Sequence, residues 1–162
     1  NSPGFGLSAE VQSFRNAVMM LGYSRLGRWL ALMLATSSRD AAMRPVMIAS
    51  FRRGVLLEQL IDSGQDERVR DEVFVLGVFS LLDLLLDQPF QQLFEALHVP
   101  DRVRETLVEQ RGPYLPYLRL LEAIEREPGT ALMRAVHACS ISLEDCNRAV
   151  LHALSAPDLI AV

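Results

Sequence analysis

The chain has 162 residues, of which 50% are hydrophobic and 22% are charged, and its formal net charge is −4. This composition is typical of one globular domain with a substantial core, and it excludes a disordered tail. The acidic balance gives no electrostatic reason to expect a nucleic-acid partner.

The first third of the chain predicts three helices. Apolar residues recur at helical spacing over residues 9–21, and a second helix over residues 24–36 contains a nearly continuous apolar run. A third helix, over residues 42–62, tolerates Pro45 because the proline lies in its first turn. Its Arg52-Arg53 pair is predicted to point away from the apolar stripe, into solvent.

Residues 73–87 are apolar at almost every position and predict the core of a long central helix over residues 67–87. A helix that is hydrophobic nearly all round belongs in the middle of a protein, because no face of it prefers water. Ser80, Asp83 and Asp87 would then share one polar stripe, at i, i+3 and i+7.

Five shorter helices are predicted beyond Pro89, over residues 90–97, 101–110, 114–127, 130–138 and 142–154. No stretch shows the strict alternation of a β-strand. We therefore predict an all-α domain of eight or nine helices around the central apolar helix. It would occupy residues 7–155, with residues 1–6 as a linker or expression remnant and residues 156–162 as a tail.

The sequence predicts a cytoplasmic protein. Cys139 and Cys146 are too few for a disulfide framework and indicate reduced thiols. The start of the chain lacks the charged and apolar regions of a signal peptide, and the longest apolar run is too short to cross a bilayer. No membrane insertion is expected. The missing initiator Met leads us to expect a domain excised from a longer protein.

The chemistry-bearing residues do not form a familiar catalytic motif. His98, His137 and His152 stand alone, and no Gly-rich phosphate loop occurs, so no cofactor is predicted. Asp83 and Asp87, four residues apart, could share a divalent cation as a fallback metal site.

Structural roles are the alternative for the polar residues of the central helix. Asp83 would pair with an Arg or reach a backbone amide, as buried carboxylates normally do. The Ser80 hydroxyl would bond to the carbonyl of Leu76.

Residues 74–90, which read Phe74-Val-Leu-Gly-Val-Phe-Ser-Leu-Leu-Asp-Leu-Leu-Leu-Asp-Gln-Pro-Phe90, resemble the HDOD family, the HD-related output domain of bacterial signalling proteins. Leu21-Gly22, Leu26 and Arg28-Trp29-Leu30 are similar to the first two helices of that family. The version that the chain most resembles follows an EAL-type domain, associated with cyclic di-GMP, in a two-domain protein.

The resemblance implies a domain that has kept the helical scaffold and lost the chemistry. Catalytic HD phosphohydrolases carry Gly-Leu-Leu-His-Asp at this helix, and their His-Asp pair binds the metals. On that pattern Ser80 stands at the His position and Leu81 at the Asp position. A hydroxyl and an isobutyl group cannot replace an imidazole and a carboxylate as metal ligands.

The resemblance therefore implies a non-catalytic regulatory or interaction module of a signal-transduction protein. Its partner would be an adjacent signalling domain or another protein, with a homodimer as an alternative, and its interaction surface would lie around Arg25, Arg28 and Trp29. Two other hypotheses stay open. One is a metal-dependent phosphohydrolase using Asp83 and Asp87, and the other is a small-molecule sensor with a pocket lined by Trp29, the methionines and Phe51.

Overall fold

The computed structural model describes residues 43–61, 66–97, 99–126 and 129–156. Within these ranges the chain forms helices and no strand, which confirms the predicted all-α class. The helices are α1 (Arg44–Leu60), α2 (Glu67–Phe79), α3 (Leu82–Leu86), α4 (Phe90–Ala96), α5 (Asp101–Val108), α6 (Leu115–Arg126), α7 (Thr130–Ala138) and α8 (Leu143–Ser155). The first two predicted helices lie outside the described residues.

Helix α2 is the centre of the described fold, as its apolar sequence predicts. Val73, Val75, Leu76 and Val78 are each 0% exposed, and Phe79 is 1% exposed. Among the described helices, α1 and α2 pack together more extensively than any other pair, and α1 also contacts α8, α6 and α3. The last turns of α2 are thus covered on all sides, and its side chains form the middle of the core.

Two glycines let α1 and α2 touch through their backbones. A Cβ atom placed on Gly77 of α2 would lie 2.4 Å from the carbonyl oxygen of Arg53 and 2.6 Å from the backbone nitrogen of Gly54, both in α1. These distances are far shorter than any van der Waals contact. A Cβ on Gly54 would lie 2.7 Å from a methyl group of Val78 and 3.0 Å from Phe74. No other residue type fits at Gly77 unless the two helices move apart.

The predicted single helix over residues 67–87 is wrong, because the chain breaks at Ser80 and Leu81. The Ser80 N–H is shared between the carbonyls of Leu76 (3.0 Å) and Gly77 (3.3 Å), which tightens the last turn of α2. The Ser80 hydroxyl donates to the Gly77 carbonyl at 2.6 Å, and not to Leu76 as expected. A new short helix, α3, then begins, so the polar stripe expected along one continuous helix does not form.

A polar cluster ties α2 to α5 and to the turn that precedes α6. Tyr114, 3% exposed, donates its hydroxyl to Glu72 at 2.6 Å, and Arg102 donates to the Tyr114 oxygen at 3.4 Å. Burial and the bond to Glu72 raise the pKa of Tyr114 to about 12. The phenol therefore stays protonated and donates a hydrogen bond throughout the physiological range.

Polar side chains cap the starts of two helices. The Ser142 hydroxyl accepts from the backbone N–H of Asp145 at 3.0 Å, at the start of α8. The Asp66 carboxylate accepts from the backbone N–H of Arg68 at 3.3 Å, at the start of α2. Each satisfies one of the N–H groups that the first turn of a helix leaves without a partner.

Replacing Gly77 by Ala is expected to lower the free energy of unfolding by about 3 kcal/mol, because the added methyl group forces two helix backbones apart. Gly54→Ala is the matched comparison, and it should cost less because its nearest neighbour is the end of a Val78 side chain. Urea unfolding followed by circular dichroism measures both. A Gly77→Ala protein with the wild-type midpoint would show that the helices do not touch there.

Candidate functional site

A buried arginine occupies the joint between α2 and α3. Arg53 is 7% exposed, and its Nη1 donates to the Ser80 hydroxyl oxygen at 2.8 Å and to the Ser80 carbonyl at 3.4 Å. Its Nε and Nη2 donate to the two carboxylate oxygens of Glu125 in α6, at 2.8 and 2.5 Å. The prediction that Arg53 lies on a solvated face is therefore wrong. We call Arg53, Ser80 and Glu125 the arginine joint.

The local fold explains this arrangement. Arg53 precedes Gly54, and the close approach of α1 to α2 at that glycine brings the arginine to the end of α2, where Ser80 lies. The Glu125 side chain is 36% exposed, so the paired carboxylate lies at the edge of the core. A bidentate arginine–carboxylate pair fixes the planar guanidinium in one orientation.

The hydrogen bonds of Ser80 decide its chemistry. A hydroxyl has one proton, and that of Ser80 is donated to the Gly77 carbonyl, while its oxygen accepts from Arg53. A nucleophilic serine needs a neighbouring base that accepts this proton. A backbone carbonyl cannot do so. In this arrangement Ser80 has a structural role, closing the end of α2.

The electrostatics at the joint disfavour a metal ion. The Arg53 guanidinium lies 2.8 Å from the Ser80 oxygen, so a divalent cation bound to that oxygen would face a positive charge. The side chain of the half-buried Leu81 offers only carbon atoms. Among the residues that the structure describes, no three His, Cys, Asp or Glu side chains lie close enough together to hold a metal.

The two aspartates of the fallback metal site lie beyond the joint. Asp83 is half-buried in the first turn of α3, and Asp87 is exposed with a left-handed backbone (φ 50°), its N–H donating to the Asp83 carbonyl. Among the residues that the structure describes, Asp83 forms no ion pair with an arginine, and the arginine partner expected for it stays a prediction.

The thiols are buried and free, as predicted. Cys139 and Cys146 form no disulfide, and burial, together with the neighbouring Cys146, raises the pKa of the Cys139 thiol to about 11. Burial also raises the pKa of Cys146. Thiols of this kind are poor nucleophiles near neutral pH, because very little thiolate is present. His137 and His152 are exposed, and His98 lies outside the described residues.

A cleft of about 680 Å³ opens between the ends of α1, α2, α6 and α8. Its walls carry charged and hydroxyl side chains, and they include Glu58, Arg70, Tyr117, Ser140, Asp145 and Arg148. It differs from the pocket predicted around Trp29 and Phe51. Trp29 lies outside the described residues, as do Arg25 and Arg28, and Phe51 packs edge-on against Phe74, with ring centroids 6.1 Å apart.

Sequence reasoning missed the main residues of both features. Arg53 does carry a signal, because it lies three residues after Ser50 and four before Leu57, both 0% exposed, and so falls on the buried stripe of α1. The cleft has no such signal, since its charged residues come from separate helices. Among the described helices, none combines the length and the apolar character needed to cross a bilayer.

Most of the chain is similar in sequence to a segment of a bacterial cyclic di-GMP protein. Over 147 residues, 91% of the chain, it is 27% identical to the cyclic di-GMP phosphodiesterase CdgJ of Vibrio cholerae. Over 129 residues, 77% of the chain, it is 26% identical to the uncharacterized protein YuxH of Bacillus subtilis. The chain is homologous to a segment of CdgJ.

The matched segments cover 34% of CdgJ and 31% of YuxH, so the chain spans about a third of the length of each relative. No protein-family model matches the chain, and no solved structure does. The homology agrees with the HDOD resemblance seen in the sequence, and it supports a role in bacterial signalling.

Replacing Glu125 by Gln is expected to lower the free energy of unfolding by about 2 kcal/mol, because it leaves the buried Arg53 charge without its counter-charge. This value is below that of a fully buried pair, since Glu125 is partly open to solvent.

Glu122→Gln is the matched control, because Glu122 lies in the same helix and pairs at 2.8 Å with Arg119, whose side chain is 53% exposed. A surface pair of this kind should contribute less than about 0.5 kcal/mol. Urea unfolding of the two variants compares them directly. Equal losses of stability would contradict a buried role for the arginine joint.

Proposed function

We propose that the chain is a non-catalytic regulatory or interaction module of a bacterial cyclic di-GMP signalling protein. It is the part that follows an EAL-type domain, and it acts in the cytoplasm without a metal or another cofactor. It packs against that neighbouring domain, or against another protein or a second copy of itself, and transmits a change of conformation.

The observation that carries this proposal is the arginine joint. The resemblance puts Ser80 and Leu81 where catalytic HD domains hold their metals, and at this place the structure has a guanidinium bonded to the Ser80 hydroxyl. Arg53 of α1 bonds there to Ser80 at the end of α2 and to Glu125 of α6, so these hydrogen bonds hold three helices together. This is the chemistry of a structural joint, which a module needs if it relays movement between helices.

The homology supplies the signalling context. CdgJ is named as a cyclic di-GMP phosphodiesterase, and the chain matches about a third of it. A phosphodiesterase of that length has room for a catalytic domain outside the matched segment. The surface around Arg25, Arg28 and Trp29 is our proposed contact with the partner, because arginine and tryptophan are the residue types that most often anchor protein interfaces.

The purified chain is expected to contain no stoichiometric divalent metal and to hydrolyse no cyclic di-GMP. Elemental analysis and a phosphodiesterase assay on the same sample measure the two properties. About one divalent ion per chain, with activity that Asp83→Ala abolishes, would support the phosphohydrolase hypothesis and overturn ours. Glu95→Gln, an exposed change in α4, is the matched control for Asp83→Ala.

In the full-length protein, removing residues 7–155 is expected to change the rate at which the EAL-type domain hydrolyses cyclic di-GMP by several-fold, because the partner loses a contact. Arg28→Glu with Trp29→Ala should reproduce this change if the proposed surface is the contact. Initial rates on equal amounts of folded protein are the readout. A rate that the deletion leaves unchanged would show that the module does not regulate its neighbour.

A further inference from the structure

The cleft between α1, α2, α6 and α8 is not used by the proposed regulatory role. Its volume of about 680 Å³ is within the range of pockets that enclose organic ligands, roughly 300 to 1,000 Å³. Leu60, Ile61, Ile141 and Ala149 supply apolar surface, and most of the other lining residues are polar or charged. A lipid-like ligand would leave those polar groups without partners, so the cleft suits a polar ligand.

The charges in the cleft are of both signs. Arg70 and Arg148 contribute cations, and Glu58 and Asp145 contribute carboxylates. Arg148 and Asp145 already form an ion pair on α8. Glu58 is half-buried, and burial raises its pKa even though the charge of Arg70 acts in the opposite direction. A partly desolvated carboxylate in a cleft gains from a ligand that donates hydrogen bonds to it.

This combination favours one class of nucleotide. Guanine has adjacent N–H donors on its Watson–Crick edge, which match a carboxylate, and the O6 and N7 acceptors that arginine binds. Adenine has a donor beside an acceptor on the same edge and matches a carboxylate less well. Arginine also binds phosphate oxygens, and an aromatic ring such as that of Tyr117, which lines the cleft, can stack on a purine.

We propose that this cleft binds a guanine nucleotide, with Glu58 accepting hydrogen bonds from the base and Arg70 and Arg148 contacting its acceptor or phosphate oxygens. The choice of cyclic di-GMP as the first probe rests on the proposed function. The choice of guanine rests on the residues of the cleft.

Isothermal titration calorimetry of the purified chain with cyclic di-GMP, GMP and cyclic di-AMP tests the proposal. The guanine nucleotides are expected to bind, and cyclic di-AMP to bind at least about tenfold more weakly, because a hydrogen bond to a charged group is lost. Glu58→Gln should weaken guanine binding about tenfold, and the exposed change Glu95→Gln in α4 should leave it unaltered.

Arg148→Gln provides a second variant that does not disturb the core, since the Arg148 side chain is 70% exposed. It should weaken all three nucleotides if Arg148 contacts phosphate. If neither cyclic di-GMP nor GMP binds at about 1 mM, the proposal that the cleft binds a guanine nucleotide is overturned. Equal affinity for cyclic di-GMP and cyclic di-AMP would also overturn it.

The experiments can overturn the cleft proposal and the proposed regulatory function independently of each other. If no guanine nucleotide binds, but deletion of residues 7–155 changes hydrolysis by the full-length protein, the cleft assignment is overturned and the regulatory function stands. If the isolated chain hydrolyses cyclic di-GMP, the regulatory function is overturned, and selective binding lost in Glu58→Gln still supports the cleft.

Discussion

The contact between the backbones of α1 and α2 determines how the rest of the described structure is arranged. Gly54 and Gly77 lack the side chains that would separate the two helices, and the residues beside them, Phe74 and Val78, pack into the space that this leaves. The same approach carries Arg53 to the end of α2. The absence of side chains at two glycines thus positions both the apolar residues at the centre of the core and the buried charge of Arg53.

The arginine joint explains why the central apolar segment is two helices. Asp83, three residues after Ser80, belongs to the first turn of α3 and not to α2. Where α2 ends, the Ser80 hydroxyl and N–H bond back to the last turn, and the Arg53 guanidinium reaches the Ser80 carbonyl. The polar groups of Ser80 are therefore satisfied from the last turn of α2 and from Arg53 of α1, which keeps a chain interruption tolerable within the core.

Local features of the sequence were predictable, and features that depend on distant residues were not. Helix α7 begins and ends where the sequence predicts, and the Ser142 cap is formed, because capping and breaking depend on neighbouring residues. At the break, Ser80 accepts a hydrogen bond from Arg53, 27 residues away, and Arg53 pairs with Glu125, 72 residues away. Apolar periodicity puts Arg53 on the buried stripe of α1, but it contains no information about the partners of that arginine or about the break at Ser80.

The cleft and the arginine joint share two helices. Helix α1 supplies Arg53 to the joint and Glu58 to the cleft, and α6 supplies Glu125 to the joint and, about two turns earlier, Tyr117 to the cleft. A shift of α6 relative to α1 that widens the cleft also pulls on the Arg53–Glu125 bonds. Because a close-packed interior transmits strain, a movement of either helix at the cleft is expected to change the geometry of the joint. A ligand held by Glu58 and Tyr117 would therefore act on the joint that ends the central helix, without touching it.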